Sequence, residues 1–147
     1  MTMPDTALTK ALQRVRENGY VLLQDWPRDV ASASELGLVK EDGVVRLPTD
    51  VRLHDLDSIR KGLPDQLSVQ LYDYIDSTNS AMLRRHEVRR HSQAGAANHL
   101  ILTEFQSAGR GRRGKVWLGD YGRNIAMTLG IELQTNLNAL GGLSSVV

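Results

Sequence analysis

The groups in this chain best suited to chemistry are concentrated in Gln106-Ser107-Ala108-Gly109-Arg110-Gly111-Arg112-Arg113-Gly114-Lys115-Val116-Trp117. Glycines at 109, 111 and 114 free the backbone to turn successive N–H groups onto one anion, while Arg110, Arg112, Arg113 and Lys115 supply charge and, in the arginines, forked donors. Such a loop suits a phosphate or a carboxylate. A solvated basic loop or an RNA-binding Arg/Gly segment has the same composition. Those segments usually repeat in a tail, however, whereas this one occurs once, between two strand candidates. A second group, Asp76-Ser77-Thr78-Asn79, stands where a strand candidate meets a helix candidate. It reads as a helix N-cap and also as a ligand contact. Helix starts at strand carboxyl ends are where α/β sheets bind ligands, and Ser, Thr and Asn offer neutral donors and acceptors.

The elements that must hold these groups follow from hydrophobic periodicity. Ala7, Leu8, Ala11, Leu12 and Val15 fall on one face of a helix over residues 7–18, capped by Asp5 or Thr6 and stopped by Gly19. Short strands are expected over 20–23 and 44–47, forming a small, loosely closed ribbon, and Leu56, Ile59, Arg60 and Leu63 mark a short helix before Pro64. A domain boundary is expected over residues 48–64. Beyond it, alternation at Val69, Leu71, Tyr72 and Ile75 predicts a strand, residues 78–90 a helix, and residues 99–105 and 124–133 two further strands. This alternation is an α/β pattern. Leu137, Leu140, Leu143 and Val147 begin an apolar helical face that stops without a cap, so the chain is expected to end inside an element.

Composition excludes several classes. The 147 residues are 41% apolar, enough for a real core, and contain no apolar run long enough for a membrane helix. Zero cysteines exclude disulfides, thiolate metal sites and a cysteine nucleophile, and point to a cytoplasmic protein. A net charge of +1 gives no global basic field, so local clusters such as Arg84, Arg85, Arg89 and Arg90 must carry any anion chemistry. That arginine cluster reads as a solvated helix face, or as a surface steering a nucleotide or an acidic carrier. His86 and His91 are five apart on a polar helix and His54 and His99 stand apart in sequence, so no metal site is expected from protein nitrogen.

Ser77-Thr78-Asn79 after an apolar strand, and Glu104-Phe105-Gln106-Ser107-Ala108-Gly109-Arg110-Gly111-Arg112-Arg113-Gly114, resemble the two signatures of biotin protein ligases. The Arg-Arg-x-x-Gly-Gly-Gly motif of the related lipoate ligases is absent. The resemblance implies an α/β (α+β) fold, in which a partial winged-helix element precedes the first half of a biotin/lipoate ligase catalytic domain with a class II synthetase-like mixed sheet. It also implies a two-step reaction with biotin, ATP and Mg²⁺, in which biotinyl-5′-AMP forms and its acyl group passes to a lysine of biotin carboxyl carrier protein. In that scheme Ser77, Thr78 and Gln106 bind the ureido ring beside Asn79. Gly109, the backbone of Arg110, Gly111 and Arg112, and the Arg112 side chain hold carboxylate and phosphate. Lys115, where many members have Arg, joins Arg112 as a catalytic cation, and Trp117 flanks the nucleotide. Gly122-Arg123-Asn124-Ile125-Ala126 departs from the usual Gly-x-Asn-Leu-Tyr by lacking the aromatic at Ala126. The glycine-rich loop is expected to be mobile alone and to order over the adenylate.

Residues 7–19 resemble the recognition helix of repressor-type members and residues 20–48 an elongated wing. The implied division is residues 1–48 as partial winged helix-turn-helix, 49–65 as linker helix and 66–147 as the N-terminal part of the catalytic domain. The two helices that precede a recognition helix are absent from this chain. The face at Leu8, Leu12 and Val15 is therefore expected either to lack packing partners or to dock on the wing or the catalytic domain, and operator DNA to bind weakly and in a salt-sensitive way. The resemblance stops before the family's Lys-Trp-Pro-Asn-Asp segment, so the chain is expected to be truncated at both ends. A homodimer is a further implied partner. Two rival readings remain: a biotin-responsive DNA-binding regulator and a basic nucleic-acid-binding protein.

Overall fold

A computed structural model describes residues 6–28, 31–90 and 98–131. The expected apolar face over 137–147, His91, the Asp5 cap and the strand extension past residue 131 lie outside them. Helix α1 (Thr6–Asn18) buries Leu8, Ala11, Leu12 and Val15 on one face. Gly19 ends it at φ +83°, donating its N–H to the Val15 carbonyl at 3.0 Å. Strands β1 (Tyr20–Leu22), β2 (Val39–Glu41) and β3 (Val44–Arg46) form an antiparallel sheet in the order β1-β3-β2. The sequence reading missed β2, although Asp42 (φ +49°) and Gly43 (φ +75°) make the two-residue left-handed turn that Asp-Gly favours in a hairpin.

The apolar face of α1 has partners. Leu8, Ala11, Leu12 and Val15 pack with Val21, Trp26, Ala33, Leu36, Leu38 and Val45, so docking replaces the expected loss of packing. Tyr121 is buried in the same cluster, and Tyr74 and Phe105 pack against it. The segments on either side of residues 48–64 therefore share an apolar core. Polar contacts reinforce this junction. The Arg16 guanidinium donates to Asp73 Oδ1 at 2.8 Å, to Glu104 Oε1 at 2.7 Å and to the His54 carbonyl at 2.9 Å. Glu104, with its side chain wholly buried, also accepts from the His54 backbone N–H at 2.8 Å and meets His54 Nδ1 at 2.7 Å. Tyr121 donates its hydroxyl to Asp73 at 2.6 Å. Burial works against the Arg16 charge but is outweighed by Glu104 and Asp73, which hold its pKa above the ordinary arginine value.

Helix α2 (Leu56–Lys61) starts at Asp55, whose carboxylate accepts from Asp57 N–H and Ser58 Oγ. Strand β4 (Ser68–Tyr72), helix α3 (Thr78–Arg90), strand β5 (His99–Thr103) and strand β8 (Ala126–Gly130) build the second sheet, with β5 central. β4 runs parallel to β5, Ser68 opposite His99 and Tyr72 opposite Thr103, and β8 is antiparallel to β5. Val69, Leu100 and Leu102 pack with Leu56, Ile59, Leu63 and Leu67. Where β8 meets α3, Gly130 packs against Met82: a Cβ there would lie 2.7 Å from Sδ, and the flexible thioether would have to shift to admit it. The segment expected as a Gly- and Arg-rich loop contains a short hairpin: β6 (Gly109–Arg110) pairs with β7 (Val116–Trp117), joined by a 3₁₀ turn at Arg112–Gly114.

Candidate functional site

Parallel pairing of β4 and β5 delivers both sequence motifs to one edge. Past the regular ladder, Ile75 bridges Gln106, Ile75 N–H donates to the Phe105 carbonyl at 3.2 Å, and Ser107 N–H donates back to the Ile75 carbonyl at 3.0 Å. Ala108 N–H continues to the Asp76 carbonyl at 2.8 Å. Tyr74 and Phe105 stack with ring centroids 5.6 Å apart, fixing the two chain segments just before they reach the site. The Asp76 carboxylate takes both Arg84 nitrogens at 2.7 Å, and that pairing holds its pKa below the usual carboxylate range. Arg84 is thus committed to the site's scaffold. Arg85 reaches Gln70 Oε1 at 3.2 Å, and the side chains of Arg89 and Arg90 lie outside the described structure.

Between these segments lies a polar cavity of about 260 Å³ lined by Ser77, Thr78, Asn79, Gln106, Arg110, Trp117 and residues 125–128. Ser77 and Thr78 are buried at the start of α3, where first-turn N–H groups need partners outside the helix ladder, and Ser77 Oγ accepts from the Ser80 N–H at 3.5 Å. Thr78 donates both its backbone N–H (2.8 Å) and its hydroxyl (3.1 Å) to Gln106 Oε1. Arg110 extends to Ser80 Oγ at 2.8 Å. Gly109 is required by space: a Cβ there would stand 2.8 Å from the Trp117 carbonyl oxygen and 3.1 Å from Gln106 Nε2.

Some sequence-selected residues play a different part from the expected one. The Gly111 N–H donates to the Lys115 carbonyl at 2.7 Å, so this amide closes the hairpin turn and is not turned outward to an anion. Lys115 is exposed on the hairpin and does not line the cavity. The side chain of Arg112 lies outside what the structure describes. Sequence reading also passed over Thr128, whose hydroxyl donates to Thr78 Oγ1 at 2.9 Å. Its signal was a Thr on the less exposed side of β8, alternating with exposed Met127 and Leu129. Among the described residues, no group of three or more His, Asp or Glu could hold a metal ion, and no helix is long and apolar enough to cross a membrane.

Fold and cavity together describe a mixed α/β chain with a polar cavity at the carboxyl ends of parallel strands, a position where α/β sheets bind ligands. The comparisons narrow this class. The chain is 34% identical over 125 residues, 85% of its length, to the bifunctional ligase/repressor BirA of Salmonella typhimurium, covering 35% of that protein. It is 31% identical over 140 residues, 95% of its length, to the bifunctional ligase/repressor BirA of Escherichia coli, covering 39% of that protein. The resemblance to biotin protein ligases of the ligase/repressor type is borne out over most of this chain, which spans little more than a third of either relative. No family model matches. Among solved structures, biotin protein ligase from Leishmania major in complex with biotin matches 49% of this chain and 25% of its own at 24% identity, with a TM-score of 0.35.

Proposed function

We propose that this chain carries a biotin-binding and biotin-activating site of a biotin protein ligase, an ATP-dependent biotin-[acetyl-CoA-carboxylase] ligase acting in the cytoplasm. The observation that carries the reading is the meeting of Ser77, Thr78, Gln106, Arg110 and Trp117, drawn from two separate motifs, around one cavity. In the first step a biotin carboxylate oxygen attacks the α-phosphorus of ATP and pyrophosphate leaves. In the second, a lysine amine of biotin carboxyl carrier protein attacks the acyl carbon and AMP leaves. Thr78 and Gln106 would hold the ureido group, while Arg110 and, by the family resemblance, Arg112 would face the carboxylate and the developing phosphate charge, with Lys115 left on the outer side of the hairpin. Fixed cations in a partly dry site stabilise that charge more than water can, and preorganised donors of this kind are worth roughly 3–4 kcal/mol each. The described residues supply no protein-held metal site, so Mg²⁺ would enter only as an escort of the nucleotide phosphates.

Calorimetry of the chain with biotin, and then with a non-hydrolysable biotinyl-AMP analogue, tests this reading. Affinity should rise for the adenylate and fall by at least tenfold in Arg112→Ala. No heat with either ligand, from a chain that circular dichroism shows to be folded, overturns it. The repressor part of the relatives' name supports a second proposal: residues 1–48 present the exposed side of α1 and the β2–β3 hairpin to operator DNA, with 49–65 linking them to the ligase segment from residue 66. Fluorescence anisotropy with operator DNA should then show weak binding that declines steeply with salt. RNA binding by the hairpin at 109–117 that ignores biotin would instead favour a nucleic-acid-binding protein.

A further inference from the structure

Thr128 belongs to neither motif, yet the polarity of the cavity depends on it. The Thr78 backbone N–H can only donate, and it donates to Gln106 Oε1 at 2.8 Å. The Thr78 hydroxyl has a single proton and gives it to the same Oε1 at 3.1 Å, while accepting from Thr128 Oγ1 at 2.9 Å. Thr128 thus occupies the acceptor side of the Thr78 hydroxyl and commits that proton to Gln106. Two donors converge on the amide oxygen, and turning the amide over would set an NH₂ group against both. The Nε2 end, which no described residue takes up, is left as a fixed pair of donors on a side chain that lines the cavity.

We propose that Thr128 is a specificity-determining positioning residue that acts through Thr78 to present Gln106 Nε2 to the ligand, so that the cavity selects a neutral carbonyl acceptor over a cationic or donor group. The inference rests on the biotin reading, in which that acceptor is the ureido carbonyl. A guanidinium in its place would set donors against donors and leave them unpaired, which costs about tenfold or more in affinity. Without the Thr128 hydroxyl, the Thr78 hydroxyl is free to turn its proton elsewhere, and one of the two bonds that hold the amide is weakened.

The test is calorimetry of the full chain at neutral pH with biotin and with 2-iminobiotin, its guanidinium analogue, alongside thermal melts. The variants are Thr128→Val, which keeps the shape and removes the hydroxyl, Thr128→Ser, which restores it, and Thr128→Ala should the valine variant fail to fold. Wild type and Thr128→Ser should prefer biotin by about tenfold or more. The hydroxyl-free variant should bind biotin several-fold more weakly and lose most of that preference. A folded hydroxyl-free variant with the preference intact, or with both affinities reduced equally, overturns the inference and leaves the biotin reading standing. A wild-type chain that binds neither ligand overturns both.

Discussion

Glu104 lies one residue past the end of β5 and two before Gln106, and its carboxylate is sealed from solvent with three donors around it. Truncation to Ala would leave Arg16 with Asp73 and the His54 carbonyl alone and strand the His54 backbone N–H, so Glu104→Ala should destabilise the chain by ~1–3 kcal/mol in chemical denaturation. Tyr121 is sensitive to the opposite end of the pH scale. Burial, and then the charge of Asp73, pushes its phenol far above the ordinary value. The unfolded phenol ionises near about pH 10, while the folded one keeps its proton. The stability is therefore whole below that pH and declines as the pH rises past it. Tyr121→Phe should flatten the alkaline limb of a pH–stability profile while losing about 1 kcal/mol at neutral pH from the hydrogen bond to Asp73. Asp76 works in the acid range. Its carboxyl is lowered by Arg84, so its contribution is present above the ordinary value of about 4 and fades as the pH falls through the lower folded value. With Asp76 about a third and Arg84 about half exposed, the pair is worth at most ~1 kcal/mol after solvent screening. Asp76→Asn should remove that acid-limb contribution and no more.

At the scale of elements, two glycines in hairpins separate stability from ligand binding. Gly43 closes the β2–β3 turn at φ +75° with open space around it, so Gly43→Ala carries only the left-handed penalty of ~1 kcal/mol. It should lower the melting temperature and leave biotin affinity unchanged. Gly109→Ala instead drives a methyl against the Trp117 carbonyl and the Gln106 amide, which must move apart. Calorimetry should show lost ligand affinity well beyond what its melt accounts for. The β6–β7 hairpin has two residues per strand, and Arg113 sits in its turn at φ +57°, a conformation costing roughly 1 kcal/mol for a residue with a side chain. So short a ladder opens readily. Hydrogen exchange at residues 109–115 should be fast in the free chain and slow with adenylate bound. Amides already protected without ligand would count against that ordering.

Over the whole molecule, α1 and the β1–β3–β2 sheet share side chains with the ligand-site segment, and Arg16, Glu104, Asp73 and Tyr121 tie them by charge and hydrogen bond. The N-terminal region and the site should therefore unfold together. Trp26, buried in the α1 cluster, and Trp117, at the cavity, report on the two regions separately. In single-tryptophan variants their denaturation midpoints should coincide. Leu12→Ala should lower both by the same amount, with ~2–5 kcal/mol lost from a wholly buried leucine. Separate midpoints would mean that the junction is too weak to couple the regions.

Local pattern was enough for much of this. The 3.6-residue repeat of α1 and the Thr78–Arg90 helix could be read from the chain, because a helix and its caps are set by residues a few positions apart. The Ser-Thr-Asn and Gly-Arg motifs were legible for the same reason, since each is a continuous run. Strand β2 went unread despite its Asp42-Gly43 turn, because Val39-Lys40-Glu41 has one apolar residue beside two charged ones, whereas the equally short β1 and β3 show apolar runs. Long-range pairing is what the sequence could not express. Parallel register between β4 and β5 brought Thr78 beside Gln106, the β5–β8 register added Thr128, and the burial of Glu104 between Arg16 and His54 joined residues 88 and 50 positions apart. Each of these depends on which face of one element meets another, and that is settled only when the apolar faces close on each other.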